Sequence, residues 1–392
     1  MCATLRTIAT DRHPSPIIVG TMAQATGRAG RDERLLARAA GGDQTAFAEL
    51  IKPHRGELHA HCYRMLGSVH DAEDAMQDAL LRAWRALPRL QARGSLRSWL
   101  YTIATNACLD AIGKRPKRML PLDAAPAADP AVGSGTPLAE TVWIEPYPDE
   151  VLALQDGFAS PEAIYDRRES IELAFVAALQ HLPATQRAVL ILREVLGFSA
   201  KEVAATLATS VPSVNSALQR ARAAVQDRVP EQSQLSTLRE LGDDEIKRLV
   251  DRYVAAWERC DVDAFASMLA EEATFAMPPL ASWFAGREAI ARWAAKEPMS
   301  GLDRWRALPA RANGQVALGY YSPDRDGRRF VPFALNVLTF RGREIANVTA
   351  FIARSSRQLD PVAQQRLTKE PVVDSLANDL FTSFGLPAEL AI

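Results

Sequence analysis

The sequence predicts a multidomain chain: two all-α domains, an acidic proline-rich connector between them, and a C-terminal α+β domain. Three observations carry this. Apolar residues recur at three-to-four spacing from Arg34 to Arg118, and again from Pro161 to Val229. Between Met119 and Ser160 there are six prolines and seven acids but no Lys or Arg. After Ala273 the pattern changes to strand-like runs at 314–321, 329–340 and 344–353, divided by the turn signals Asp326-Gly327 and Arg341-Gly342.

A chain of 392 residues can bury two or three separate cores. Its 48% hydrophobic and 24% charged residues are the balance of a soluble globular protein. A formal net charge of −1 excludes a uniformly basic nucleic-acid coat but leaves room for a basic face. The four cysteines, at 2, 62, 108 and 260, form no CxxC, so no metal site and no disulfide framework is expected. There is no run of 18 apolar residues to span a membrane, and no apolar signal-peptide core. A cytoplasmic protein without a cofactor is the expectation.

The elements follow in order. Residues 1–30 lack periodicity and read as a disordered tail, with Met22 an alternative start. The first helical domain, 31–118, opens with Leu35, Leu36 and Ala39, then Phe47, Leu50 and Ile51, and continues in helices near 57–67, 71–87 and 95–113. Asp71 is placed as an N-cap, with Asp74 in the first turn and Ala75, Met76, Ala79, Ala83 and Trp84 along one face. The connector, 119–160, is expected to stay extended because proline-rich acidic sequence packs poorly. A second helical domain spans 161–230 and a short linker 231–242. The third domain, 243–355, starts with helices near 243–257 and 261–270, and a tail runs over 356–392.

The sharpest local motif lies at 199–224. Ser199 and Glu202 form a capping box. Val203, Ala204 and Leu207 point inward, small Ala208 permits a tight turn, and Val211 plugs the corner. Pro212 opens a second helix whose Val214, Leu218 and Ala221 face inward. Ser213, Asn215, Ser216, Gln219, Arg220 and Arg222 then face outward, polar and basic without a carboxylate. This is the pattern of a helix-turn-helix whose second helix enters a major groove; a plain helical hairpin is the alternative.

Charge in the first domain is polarised. From Leu80 to Arg118 there are nine basic residues against one acid, Asp110, with Trp84, Trp99 and Tyr101 interleaved. Bases with aromatics suit a surface that holds phosphates and stacks unpaired bases, where a charge run alone would read as a solvated face. Just before it, Asp71, Glu73, Asp74 and Asp78 make an acidic helical start.

The segments His61–Leu87 and Gly94–Asp110 resemble region 2 of bacterial extracytoplasmic-function sigma factors. Leu182–Glu194, continuing into the helix-turn-helix, resembles region 4. The resemblance implies that Asp71, Ala72, Glu73, Asp74, Gln77, Asp78, Arg82 and Trp84 dock on the coiled coil of the polymerase β′ clamp, with region 4 on the β flap. It implies that Arg93, Ser95, Leu96 and Arg97, with Trp99, Tyr101 and Asn106, open the −10 element and capture a flipped base. Ser213, Asn215, Ser216, Gln219, Arg220 and Arg222 would read the −35 element as duplex. The acidic connector would suit a path near the polymerase active-site channel, and a solvated tether is the other reading.

The third domain resembles the SnoaL-like, nuclear-transport-factor-2-like cone, through Arg252–Phe265, Ala273–Leu280 and Trp283–Ile290. Such cones host isomerases elsewhere. Here all six histidines lie at or before 181 and the run Pro332–Phe340 holds no acid, so catalysis is not expected. Met277, Trp283, Phe284, Trp293 and Trp305 read as core, with a small-ligand pocket as the alternative. The chain as a whole resembles sigma factors carrying this domain after region 4, which implies partnership with core RNA polymerase and promoter DNA. It also implies regulation by the fused domain, in place of or beside a separate anti-sigma factor. Asn313-Gly314-Gln315 and the tail are candidate contact points. Two other functions compete: a ligand-sensing helix-turn-helix regulator acting without polymerase, and an enzyme using the cone.

Overall fold

The computed structural model describes residues 20–90, 95–135, 143–153, 169–301, 304–324, 327–353 and 380–391. The chain forms two compact units, Met1–Lys117 with Val151–Arg167 and Ala174–Glu231, and Arg118–Glu150 with Arg168–Leu173 and Gln232–Ile392.

In the first unit, helix α1 spans Gly20–Ala40. It begins inside the stretch expected to be a tail, because Ala23, Ala25 and Ala29 with Met22, Gln24 and Arg28 are good helix formers that outweigh Gly20, Gly27 and Gly30. Residues 1–19 lie outside the described residues. Helices α2 (Gln44–Ile51), α3 (Arg55–Leu66), α4 (Val69–Ala86) and α5 (Leu96–Ile112) complete the first domain. Asp71 is not the cap of α4. Gly67 closes α3 in the left-handed region at φ 71°, and Ser68 then takes the extended cap conformation and accepts the Asp71 N–H at 3.0 Å. Asp71, in the first turn, pairs instead with Arg115.

The same unit holds α6 (Leu173–Gln180), α7 (Ala184–Leu190) running into a π-turn at Ile191–Val195, α8 (Ala200–Thr206) and α9 (Val211–Gln226). The start of this domain before 169 lies outside the described residues. The last carbonyls of α3 lack intrahelical donors, and this second helical domain supplies them. Gln180 Nε2 donates to Arg64 O at 3.2 Å, and Arg187 donates to Met65 O and to Gln180 Oε1. Burial pulls the Arg187 guanidinium down to about 10.

The second unit is the cone. Helices α10 (Gln234–Leu241), α11 (Asp243–Glu258), α12 (Val262–Ala266) and α13 (Arg287–Lys296) join a sheet ordered β2-β1-β6-β5-β4-β3. Its strands are β1 (Leu269–Ala276), β2 (Trp283–Ala285), β3 (Arg306–Ala312), β4 (Gln315–Pro323), β5 (Arg329–Arg341) and β6 (Glu344–Ile352), with β7 (Leu390–Ala391) added to β5. The expected helix at 261–270 ends at Ala266, and Leu269 already pairs with Ile345 of β6. The expected linker 231–242 is largely α10: Gln234 exchanges hydrogen bonds with both Phe340 N and Phe340 O, and Leu235 and Leu238 are buried. The tail is fastened too, with Phe381, Phe384 and Leu386 buried and the Tyr321 hydroxyl donating to Pro387 O at 2.9 Å. Residues 354–379 are not among those described.

The connector is no solvated tether where it is described. The Trp283 indole donates to Ala125 O, Ala128 N donates to Trp283 O, and Ser134 bonds Glu297. The two-residue hairpin turn Asn313-Gly314, both residues at positive φ, joins β3 to β4. Asn313 Oδ1 accepts Tyr147 N at 2.8 Å, Asn313 Nδ2 donates to Ile171 O at 2.8 Å, and Gly314 N donates to Asp149 Oδ1. Gln315 Oε1 accepts Leu173 N at 2.9 Å. The connector is not extended throughout, as short helices form at Pro121–Ala124 and Asp149–Ala153, and the cone satisfies polar groups along it. Segments 136–142 and 154–168 lie outside the described residues.

Glu172 makes one of these contacts, accepting Leu235 N at 3.0 Å, and its burial pushes the carboxyl from 4.5 up to about 7. A carboxyl raised on folding binds more protons in the folded state between these two values. Its contribution is therefore most favourable below 4.5 and is lost as pH rises through about 7. Glu172→Gln is expected to raise stability at pH 8 by up to about 3 kcal/mol and to leave pH 4.5 nearly unchanged. Thermal unfolding of the two chains across that range checks it; equal shifts at both ends would contradict the buried charge.

Candidate polymerase and promoter interface

Helix α4 presents two faces. Ala72, Ala75, Met76, Ala79 and Ala83 are buried, and Trp84 is half-buried against Phe47, with ring centroids 5.2 Å apart. Ala72 and Trp84, expected to touch polymerase, therefore belong mainly to the packing of the domain. The opposite face carries exposed Asp74, Gln77, Asp78 and Leu81, with Glu73 half-buried beside them. Arg82 is fixed between Asp78 at 2.7 Å and Asp110 at 2.8 Å, so it stiffens this strip. Leu81, 55% exposed, is not among the residues that sequence reasoning singles out. Its i+3 and i+4 spacing from Gln77 and Asp78 is the signal that could have found it.

The N-terminal half of α5 holds the residues assigned to −10 opening. Ser95 caps the helix by accepting Ser98 N, and Leu96 and Trp99 pack partly against Leu35, Leu50 and Leu87. Asn106 is exposed; Arg93 lies outside the described residues. Tyr101 is no open stacking platform. It is 1% exposed, edge-on to His61 and Phe198 with centroids 5.3 and 5.4 Å away, and its hydroxyl donates to Glu57 Oε2. Burial raises its phenol well above the ordinary value.

Residues of the second helical domain cover this face. The Arg97 guanidinium sits 5.1 Å from the Tyr101 ring centroid and 4.6 Å from that of Phe198, and donates to Leu196 O at 3.1 Å. Ser98 Oγ approaches Glu202 Oε1 at 3.5 Å. Thr102 donates to Ser98 O, so at 3.0 Å it accepts from the Thr206 hydroxyl. Phe198 is the residue that sequence reasoning misses here.

The helix-turn-helix has the expected capping box at Ser199 and Glu202, and Ala208 makes the turn at φ 48°. Hydrogen bonds from Ser199 hold the Glu202 carboxyl below its usual range. Helix α9 is capped by Ser210, so Pro212 sits in its first turn and Val211 is 39% exposed, not a corner plug. Val214, Ala217, Leu218, Ala221 and Val225 face the core. Ser213, Asn215, Ser216, Gln219, Arg220 and Arg222 are all exposed. Arg220 donates to Ser216 Oγ, while Arg222 pairs with Glu194 at 2.6 Å.

A helical domain with an acidic outer strip, followed by a helix-turn-helix with a basic outer face, defines a sigma-type transcription initiation factor. Family comparison agrees: the Sigma-70 region 2 model matches residues 50–118, the Sigma-70 region 4 model 172–225, and the SnoaL-like domain model 250–348. The sigma factor SigG of Mycobacterium tuberculosis is 42% identical over 338 residues, 86% of each chain. SigW of Bacillus subtilis is 31% identical over 186 residues, 47% of this chain and 89% of that one. The solved structure of Mycobacterium tuberculosis SigJ is similar at 21% identity and a TM-score of 0.48, covering 79% of this chain and 95% of that one. The chain belongs to the extracytoplasmic-function RNA polymerase sigma factors, and so is a non-enzymatic factor that directs promoter-specific transcription. No helix among the described residues is long and apolar enough to cross a membrane.

Proposed function

We propose that the strip Asp74, Gln77, Asp78 and Leu81 docks on the polymerase β′ clamp, that α5 opens the −10 element, and that the outer face of α9 reads the −35 element, all in the cytoplasm. The exposed acidic strip beside an exposed leucine carries this reading: Asp74 and Asp78 make only surface ion pairs, with Arg115 and Arg82, and Leu81 is 55% exposed. The −35 and −10 elements lie about two helical turns apart, on the order of 70 Å along the duplex. With α8 packed on α5, one compact unit cannot reach both, so the closed arrangement is the resting one and engagement separates the two helical domains.

The cone regulates through the connector. While Asn313 holds Tyr147 of the connector, and Asn313 and Gln315 hold Ile171 and Leu173 just beyond it, that acidic chain is withheld from a path along the polymerase. The test is transcription by core polymerase on DNA enriched from a genomic library by the holoenzyme. Initiation should depend on the added full chain, and Asn313→Ala with Gln315→Ala should raise it several-fold. Silent polymerase with both chains overturns the promoter reading; lower activity of the double variant reverses the sign of regulation.

A further inference from the structure

Helix α11 turns Leu249, Tyr253, Ala256 and Trp257 inward. Beside that face a second stripe, Arg252, Ala255 and Arg259, runs at i, i+3 and i+7. It borders an outer groove of about 330 Å³ that Asp251, Ala264 and Met268 complete. Ala255 and Ala264 are half-buried and Met268 is 4% exposed, so the floor is methyl groups and a thioether. Hydrogen bonds fix the corner that shapes it. Cys260 takes the left-handed conformation at φ 53°, Asp261 N donates to Ala256 O at 2.8 Å, and Asp261 Oδ1 accepts Ala264 N at 2.9 Å. The groove is preformed.

Ion pairing along α11 is selective. Lys247 holds Asp251 at 2.5 Å, Arg248 holds Glu245 at 2.5 Å, and Glu258 faces Arg306 at 3.8 Å. Arg252 and Arg259 are exposed and have neither a carboxylate nor another hydrogen-bond acceptor among the described residues. A helix C-terminus attracts a cation, but that effect fades within the last turn. It accounts for Arg259 and not for Arg252, two turns earlier. Two unengaged guanidiniums at the ends of an apolar floor are the positive half of a complementary contact.

Size and spacing select what completes it. The volume lies at the low end of ligand pockets, which run from about 300 to 1,000 Å³, and suits one bulky apolar side chain. Arg252 and Arg259 are separated by about 10 Å along the helix axis, at about 1.5 Å per residue, which suits two carboxylates better than one. A helix laid along α11 with acids at i and i+7 and an apolar residue at i+4 repeats that spacing. We infer that the α11–α12 groove docks an acidic amphipathic helix of a partner protein. Its apolar residue sits over Met268 and its two carboxylates meet Arg252 and Arg259.

The probe is an end-capped, alanine-based helical peptide carrying glutamate, leucine and glutamate at i, i+4 and i+7. One control peptide has glutamine for both glutamates, and the other has alanine for the leucine. The full chain, labelled with 13C at methionine methyls, is titrated, the Met268 signal being assigned with Met268→Leu. The expected result is a saturable Met268 shift, with at least tenfold weaker binding of either control. Arg252→Glu combined with Arg259→Glu should weaken the probe at least tenfold, and a peptide with lysines for the glutamates should bind that double variant. Such a restored contact separates lost charge from lost fold. A stationary Met268 signal overturns the site, as does a shift that survives the double substitution. Saturation by hexanoate at the peptide's own affinity would make the groove a small-acid site and overturn helix docking. Sedimentation equilibrium tests the remaining occupant: a dimer of the full chain that the double substitution dissolves would assign the groove to a second copy and overturn the partner. Polymerase enters none of these measurements, so their failure leaves the initiation reading untouched.

Discussion

Leu81→Lys should lower affinity for core RNA polymerase by about 30-fold or more while leaving the melting temperature nearly unchanged. Leu81 is 55% exposed at the C-terminal end of the α4 strip, so its replacement costs the isolated chain little. On a partner surface the same leucine would be buried, at about 1.5–3 kcal/mol of transfer free energy, and a lysine in its place adds an uncompensated charge. About 2 kcal/mol or more corresponds to about 30-fold or more. Asp74→Lys and Asp78→Lys should act differently, slowing association and steepening with falling salt, because rim charges steer more than they hold. Asp78 also releases Arg82, which Asp110 still retains. Binding kinetics of immobilised core polymerase against each chain at two salt concentrations separates these effects. Equal affinity of Leu81→Lys and the parent chain would remove α4 as the docking surface. Ala72 and Trp84 are poor substitutes for this test, since changes there act through the core.

What is legible in the sequence is local, and what is not is long-range. The capping box at Ser199 and Glu202 and the two faces of α9 involve residues within one or two turns, so spacing alone reveals them. The cap of α4 falls three residues before the one that sequence suggests, because Ser68 and Asp71 are both good caps; the left-handed Gly67 decides for Ser68. Strand β1 contains Ala-Glu-Glu-Ala, a helical composition overruled by pairing with β2 and β6. Strand β3 has Pro309 within it, tolerated because β3 lies at the sheet edge. Tyr101 reads as a stacking platform because its cover, Phe198 beside Leu196, comes from a turn 99 residues beyond Arg97. The connector reads as free for the same reason: its partner Asn313 lies 166 residues from Tyr147. Acidic proline-rich composition says that a segment has no core of its own, not that it lacks a surface to lie on.

Phe198→Ala should open the two helical domains and raise affinity for a single-stranded −10 oligonucleotide about tenfold or more. In the closed arrangement Phe198 is 6% exposed and touches both Arg97 and Tyr101. A cation–π contact contributes about 0.5–2 kcal/mol and an edge-on aromatic pair about 0.5–1.5 kcal/mol. Together they amount to about 2 kcal/mol between the domains, a shift of about 30-fold in the closed-to-open ratio. If the closed form dominates, the competent fraction and the apparent affinity rise by nearly that factor. Arg97 itself is regained for phosphate or base, since its hydrogen bond to Leu196 O alone is a weak restraint. Thr206→Val serves as a gentler second variant. It removes only the hydroxyl donated to Thr102, keeps a β-branched residue in α8, and should give a smaller change of the same sign. Oligonucleotide anisotropy reads the affinity, and energy transfer between labels on α4 and α9 reads the separation. Tighter binding with unchanged energy transfer would mean that Phe198 blocks the site without holding the domains. Unchanged binding in both variants would mean that the covered face of α5 is not the −10 surface.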